Sequence, residues 1–304
     1  MALAGKRLVI FGCGYVGSAL ARVAQAAGAN VTALTRNPAT AEALRVAGVE
    51  MIVGELSSGD WHSQIGETPD FAVNCVSSGG GTPDDYHRSY VDGMRSVRAW
   101  LAKSPRPVES FVYTSSTSVY PQGDGATVDE TAPTGNGPFN GRILLEAEQL
   151  LRTAPASAVR RSFILRLAGI YGPGRHHLLN ELRAGAGALA GDPAHRMNMI
   201  HRDDIVAAVV ACLSAPVEVP GSIFNVADGH PAPRREVVDW LAARLGVPAP
   251  ALGGAGAASR RDGSPVPDRI ISSAKIRRDL GWSPRFADYR AGYAELLRAG
   301  PGPF

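Results

Sequence analysis

The chain has 304 residues, 45% of them hydrophobic and 19% charged, with a formal net charge of +3. It is long enough to bury a full core without disulfide or metal staples, and its residue balance is that of an ordinary globular protein. The basic residues are scattered, which argues against a nucleic-acid surface, and no uncharged apolar run reaches the roughly 18 residues of a membrane span.

Arg7 to Phe11 is a short β-branched and aromatic run bounded by Gly12, and reads as a first strand. Residues 15–27 follow as a helix with Gly28 as its stop. Residues 31–34 read as a second strand, 39–47 as a second helix, and 49–53 and 71–76 as the third and fourth strands. Tyr86, Tyr90, Met94, Val97 and Leu101 fall on one stripe at helical spacing, which predicts a single long helix over 84–103. A fifth strand over 109–114 runs into the hydroxyl-rich turn Thr114-Ser115-Ser116-Thr117-Ser118. A helix over 140–152, capped by Asn140, places Ile143, Leu144, Ala147, Leu150 and Leu151 on one face. Residues 162–167 make a sixth strand. Strands alternating with helices in this way need a parallel sheet covered on both faces, so the predicted fold class is α/β with a doubly wound sheet.

Gly- and Pro-rich stretches punctuate the remainder. Between them lie predicted helices at 203–213, 235–245 and 273–280 and a short strand at 223–226. The Ala- and Gly-rich segment 246–267 reads as a loop or lid. Cys13, Cys75 and Cys212 are far apart, form no Cys-x-x-Cys and lie in apolar contexts. They read as small buried thiols in a reducing, cytoplasmic compartment. Residues 1–11 run straight into a strand with no charged-then-apolar leader.

Gly12-Cys13-Gly14-Tyr15-Val16-Gly17 matches G-x-G-x-x-G directly between a strand and a helix, the context that gives this pattern meaning as a dinucleotide turn. The first glycine allows the tight turn, the second lets the backbone approach a pyrophosphate, and the third allows close helix–strand packing. The end of the second strand carries Thr35-Arg36, where an NAD site would keep an acidic residue for the ribose 2′-hydroxyl. Arg36 suits a 2′-phosphate instead, and Thr35 can add a donor, so NADP(H) is favoured over NAD(H).

The whole layout resembles the extended short-chain dehydrogenases/reductases, the NAD-dependent epimerase/dehydratase family. The resemblance rests on the glycine turn, Ser115-Ser116-Thr117-Ser118-Val119-Tyr120 and Asp129-Glu130-Thr131-Ala132-Pro133. It continues through Ile170-Tyr171-Gly172-Pro173-Gly174-Arg175, Ile200-His201-Arg202-Asp203-Asp204, Phe224-Asn225-Val226-Ala227-Asp228 and the stretch Ser273 to Trp282. It implies a Rossmann domain over 1–170 and 197–228, with a small substrate lobe over 171–196 and 229–304. It also implies an adenine contact at Glu55, a nicotinamide-side ribose lined by Ser77 and its neighbours, and a homodimer through the helices at 84–103 and 140–152. Arg88, Arg95 and Arg98 put charge on the outer face of the first of these and count against that dimer.

In the family a Ser or Thr hydroxyl orients the reacting oxygen. A Tyr-x-x-x-Lys on the next helix supplies the proton, the Lys charge favouring the phenolate. Ser116 falls at the hydroxyl position. The Tyr position holds Phe139 and the Lys position Ile143, and no Tyr-x-x-x-Lys exists elsewhere in the chain. Losing a positioned acid or base costs about 10²–10⁴ in rate. The chain therefore resembles the atypical subgroup that keeps the fold without the standard site. Replacements can be sought in His176, or less favourably Tyr120 and Arg142. His176 and His177 are expected on a loop bordering the substrate cleft and are a poor metal pair, having no carboxylate beside them; no metal site is expected. His201 with Asp203 or Asp204 reads as a helix cap and tertiary anchor. Two functions stay open: an epimerase/dehydratase- or reductase-like enzyme acting on a small polar, sugar-nucleotide-like substrate by a non-standard proton shuttle, or a non-catalytic NADP(H)-binding sensor.

Overall fold

The computed structural model describes residues 3–253 and 267–299. Seven parallel strands form the central sheet: β1 (Arg7–Phe11), β2 (Asn30–Thr35), β3 (Glu50–Val53), β4 (Phe71–Asn74), β5 (Val108–Ser116), β7 (Val159–Leu167) and β12 (Ile223–Val226), with β6 (Ala126–Val128) lying outside it. Their spatial order is β12-β7-β5-β4-β1-β2-β3, so the winding reverses between β1 and β4. In open α/β sheets that reversal opens a crevice at the carboxyl ends of the strands, where ligands bind. The strand residues are mostly buried because both faces of the sheet are covered. Helix α1 (Tyr15–Ala26) packs beside α7 (Arg202–Leu213), and α4 (Gly93–Leu101) beside α5 (Phe139–Arg152).

Small pairs of strands sit beyond the sheet. β6 pairs with β15 (Arg269–Ile271), and β8 (Gly169–Tyr171) pairs with β11 (Met199–His201), both parallel. β9 (Ala188–Leu189) pairs with β14 (Ala251–Leu252), and β10 (Arg196–Met197) with β13 (Ala232–Pro233). A second apolar core, separate from that of the sheet, gathers Tyr171, Leu179, Val238, Leu241, Tyr289 and Tyr293. It joins α6 (His177–Arg183), α8 (Arg234–Leu245) and α10 (Tyr289–Ala299). Helix α9 (Ala274–Leu280) returns to the first core through Ile276, and Trp282 follows it there.

Several elements differ from the sequence expectation. The stripe over 84–103 is not one helix. It comprises α3 (Pro83–Tyr86), a π segment (His87–Asp92) and α4, opened by a Thr82–Asp85 capping box. Periodicity alone tolerated this because the extra residue of a π turn shifts the stripe only locally. Strand β5 runs through Ser116, two residues past the expected end, because its neighbour β7 is equally long and pairs with it up to Leu167. Helix α5 begins at Phe139 after Pro138, and the Asn140 side chain accepts only the Gly141 N–H, so Asn140 is inside the helix rather than its cap. Helices α6 and α10 were not expected; short apolar spacing between glycines hid the first. His176 ends the loop after Arg175, at the N-cap position of α6 but with no capping side-chain hydrogen bond, whereas His177 is the first helical residue rather than part of the loop. Of the segment read as a lid, residues 254–266 lie outside the described residues. Among the described residues, no helix is long and apolar enough to cross a membrane.

Candidate cofactor and active site

The glycine turn lies at the sheet reversal, between β1 and α1. Gly12 has φ +89°, and a Cβ there would stand 2.6 Å from the Val76 nitrogen. A Cβ on Gly17 would stand 2.2 Å from the Gly12 carbonyl oxygen. Both glycines are therefore demanded by protein packing. Gly14 differs: nothing lies within 4 Å of where its Cβ would be. The Gly12 and Cys13 N–H groups both donate to the Leu34 carbonyl, at 3.0 and 3.1 Å. Helix α1 has no side-chain cap and no acidic residue in its first turn. The open face at Gly14 and an uncapped, partially positive helix start fit a pyrophosphate. Cys13 and Val16 point into the core, and burial pushes the Cys13 thiol up to about 12. Their contribution to a ligand is thus confined to the backbone.

At the carboxyl end of β2, Thr35 is buried and its hydroxyl accepts the Asn37 N–H at 3.2 Å, which shapes the turn carrying Arg36. Arg36 is half-exposed and pairs with Glu55 at 3.6 Å. Its guanidinium lies against Gly79, where a Cβ would come within 2.7 Å of Nη2. Arg36, Glu55 and Gly79 thus meet across the ends of β2, β3 and β4. Ser77 is exposed on the loop after β4.

At the other end, Ser116 closes β5 and its Oγ accepts the Ser118 N–H at 3.1 Å. Phe139 and Ile143 sit one turn apart on α5, both half-buried. The Phe139 ring meets Tyr86 edge-on. Arg142 is exposed and donates to the Gly137 carbonyl at 2.9 Å. His176 has a buried Nδ1 with no hydrogen-bond partner among the described residues, while His177 pairs with Glu181 at 3.6 Å. His201 Nδ1 accepts the Asp203 N–H at 3.2 Å, and the Asp204 carboxylate accepts the Arg285 and Phe286 N–H groups. Burial lowers the His201 pKa to about 4, so its imidazole is neutral at pH 7 and acts as cap and anchor. Among the described residues, no group of three or more His, Cys, Asp or Glu could hold a metal ion.

Beneath this surface lies a polar network that sequence reasoning missed. Glu148 accepts from Ser115 Oγ at 2.6 Å and from Arg166 Nε and Nη2 at 3.0 and 2.7 Å. Arg166 also donates to the Tyr120 hydroxyl at 2.9 Å, and that hydroxyl donates to Asn225 at 2.8 Å. Arg269 donates to the Thr117 carbonyl at 2.8 Å and to the Tyr120 carbonyl. Tyr120 is thereby fixed as a structural residue. The available signal was a charged residue in each of two apolar runs, Glu148 on the buried side of its helix and Arg166 inside a strand.

Comparison with known proteins adds four findings. A model of the NAD dependent epimerase/dehydratase family matches residues 8–227. Protein YeeZ of Escherichia coli is 30% identical over 290 residues, covering 93% of this chain and 97% of YeeZ. The 2-alkyl-3-oxoalkanoate reductase of Stenotrophomonas maltophilia is 29% identical over 259 residues, covering 80% and 76% of the two chains. Among solved structures, MoeE5 in complex with UDP-glucose and NAD matches with a TM-score of 0.79 at 24% identity, over 97% of this chain and 99% of MoeE5. At that identity the similarity speaks for the shared fold.

Proposed function

This chain belongs to the NAD-dependent epimerase/dehydratase family, and from that premise we propose that it is an NADP(H)-dependent epimerase/dehydratase- or reductase-like enzyme acting on a small polar, sugar-nucleotide-like substrate. The observation that carries this reading is the glycine turn. Gly12 and Gly17 are closed by protein atoms, whereas Gly14 faces open space at an uncapped helix start. The backbone from Gly14 onward would hold the pyrophosphate, with Tyr15 at the mouth of the turn. Arg36 would hold the 2′-phosphate, and Thr35 would shape its approach. Glu55 beside Arg36 would meet the adenine, and Ser77 the second ribose. A bound nicotinamide would supply hydride transfer.

Ser116 orients the substrate oxygen from the end of β5. With Phe139 and Ile143 on α5, the proton moves by a route other than Tyr-x-x-x-Lys, and His176, with its unpartnered Nδ1, is one candidate for it. The substrate would lie between the sheet's carboxyl edge and the second core, over 171–196 and the residues from 229 on. The UDP-glucose 4-epimerase of Azospirillum brasilense, 27% identical over 91% of this chain, supports the substrate class.

The test is calorimetric titration of NADPH and NADH, then incubation with UDP-glucose and NADP⁺ followed by chromatography of the sugar nucleotide together with the absorbance of reduced cofactor, because an epimerase or dehydratase returns its hydride and leaves no net reduced cofactor. NADPH should bind at least about tenfold more tightly, a gap of about 1.4 kcal/mol, and Arg36→Ala should erase the gap. Equal affinities would remove the NADP(H) preference. Tight binding with no turnover of UDP-glucose or of an aldehyde and ketone panel would favour the sensor.

A further inference from the structure

Phe139 keeps a ring where the resemblance implies a phenol, and the ring it meets is a tyrosine. The Tyr86 and Phe139 centroids lie 5.4 Å apart at 80°, the edge-to-face arrangement aromatic pairs prefer. Tyr86 also meets Tyr90 at 5.5 Å, and the Tyr90 hydroxyl accepts the Ser78 N–H at 3.2 Å. Two residues after Phe139, a Cβ on Gly141 would stand 2.6 Å from the Ser118 carbonyl oxygen, and the Ser118 N–H is held by Ser116 Oγ. Ser78, Tyr90, Tyr86, Phe139 and the Ser116–Ser118 turn therefore form one wall at the carboxyl ends of β4 and β5.

The remaining phenols are accounted for. Tyr90, Tyr120 and Tyr289 have hydroxyl partners. The hydroxyls of Tyr15, Tyr113 and Tyr171 also lack a hydrogen-bond partner among the described residues but are buried away from the surface, and Tyr293 belongs to the second core, so what sets Tyr86 apart is an unpartnered hydroxyl on a half-buried side chain. Tyr86 is half-buried, and its hydroxyl makes no hydrogen bond among the described residues. The π segment begins at the next residue, which frees Tyr86 from the phase of the α4 stripe. Such widened turns recur at functional sites.

We infer that Tyr86 is a catalytic residue of this chain, its phenol replacing the one absent at position 139. This rests on the function proposed above. In the reducing direction, the Tyr86 O–H bond breaks and its proton goes to the substrate carbonyl oxygen, as hydride is added to the carbonyl carbon. One carbonyl, one hydride and one proton give the alcohol; a bound dihydronicotinamide would supply the hydride with its electron pair, and the Tyr86 phenolate takes a proton back from solvent. In the oxidising direction each transfer reverses. Ser116, on the same wall, holds the same substrate oxygen.

Tyr86→Phe keeps the ring and removes only the hydroxyl. Turnover of UDP-glucose with NADP⁺ should fall about 10²–10⁴-fold, with NADPH affinity unchanged. Tyr86→Phe with Phe139→Tyr should recover part of that loss by moving the phenol across the same ring pair. A second measurement needs no substrate. In the wild type, adding NADP⁺ should shift one tyrosine titration, followed at the tyrosinate absorbance, to lower pH, because the cationic ring favours a nearby phenolate. Tyr86→Phe should lack that shift. An unchanged turnover in Tyr86→Phe, or the same titration in both proteins, overturns the assignment while leaving the cofactor reading intact. Failure of the wild type to bind NADPH or NADP⁺ overturns both.

Discussion

The glycine turn and the Glu148–Arg166 network lie at the same edge of the sheet and treat polar groups in opposite ways. In the network every charged group is answered inside the protein: Glu148 accepts three hydrogen bonds, and Arg166 and Glu148 are 5% and 3% exposed. At the turn, the helix start from Gly14 onward has no capping side chain and no Cβ to block approach. Neighbouring hydroxyls show the same division. Ser115 faces inward to Glu148, while Ser116 is half-buried at the cleft, because successive side chains on a strand point to opposite faces. A polar group answered within the fold holds the fold. One left open at the sheet reversal is free for a ligand.

The comparison can be broken most forcefully in the network. Glu148→Ala would leave the Arg166 guanidinium buried without its carboxylate, and removing one partner of a buried pair costs about 3–5 kcal/mol. Urea unfolding should show that loss. A loss below about 1 kcal/mol would mean that the pair behaves as a surface salt bridge.

A sharper test sets two glycines of one motif against each other. Gly17→Ala forces a methyl onto the Gly12 carbonyl and should cost about 1–3 kcal/mol of stability. Gly14→Ala meets no protein atom and should cost about 1 kcal/mol or less, yet weaken NADPH binding more than about tenfold. Equal stability losses would show that Gly14, too, is held by packing.

The smallest effect concerns pH. Asp228 is buried with one carboxylate oxygen unpartnered, and burial pushes its carboxyl up to about 7 from 3.8. A raised carboxyl pKa gives stability that is complete below the unfolded value and lost as pH rises to about 7. His201, lowered from 6.5 to about 4 by burial, has the opposite sign: its contribution is complete above 6.5 and lost as pH falls to about 4. Across that window the two oppose each other. Asp228→Asn removes the first, so the variant should lose stability more steeply than the wild type between pH 7 and pH 4.5. Parallel curves of unfolding midpoint against pH would refute the Asp228 assignment.

Some of this was legible in the residues alone. The strands are short, predominantly apolar runs, and the glycine turn is a local pattern whose demands, a positive φ at Gly12 and close packing at Gly17, are met within a few residues. Local steric rules and burial on both sheet faces determine such elements, so the order of strands and helices and the place of the dinucleotide turn follow from sequence. The absence of a Tyr-x-x-x-Lys is equally plain there. Contacts between segments distant in the chain were not legible. Glu148 reads as one more charge on a helix until β7 brings Arg166 beneath it. Tyr86 reads as one more apolar position until the π turn re-aims it and α5 lays Phe139 across its edge. Side-chain partnership depends on which elements the sheet order brings together, and that is decided by packing in three dimensions rather than by periodicity along the chain.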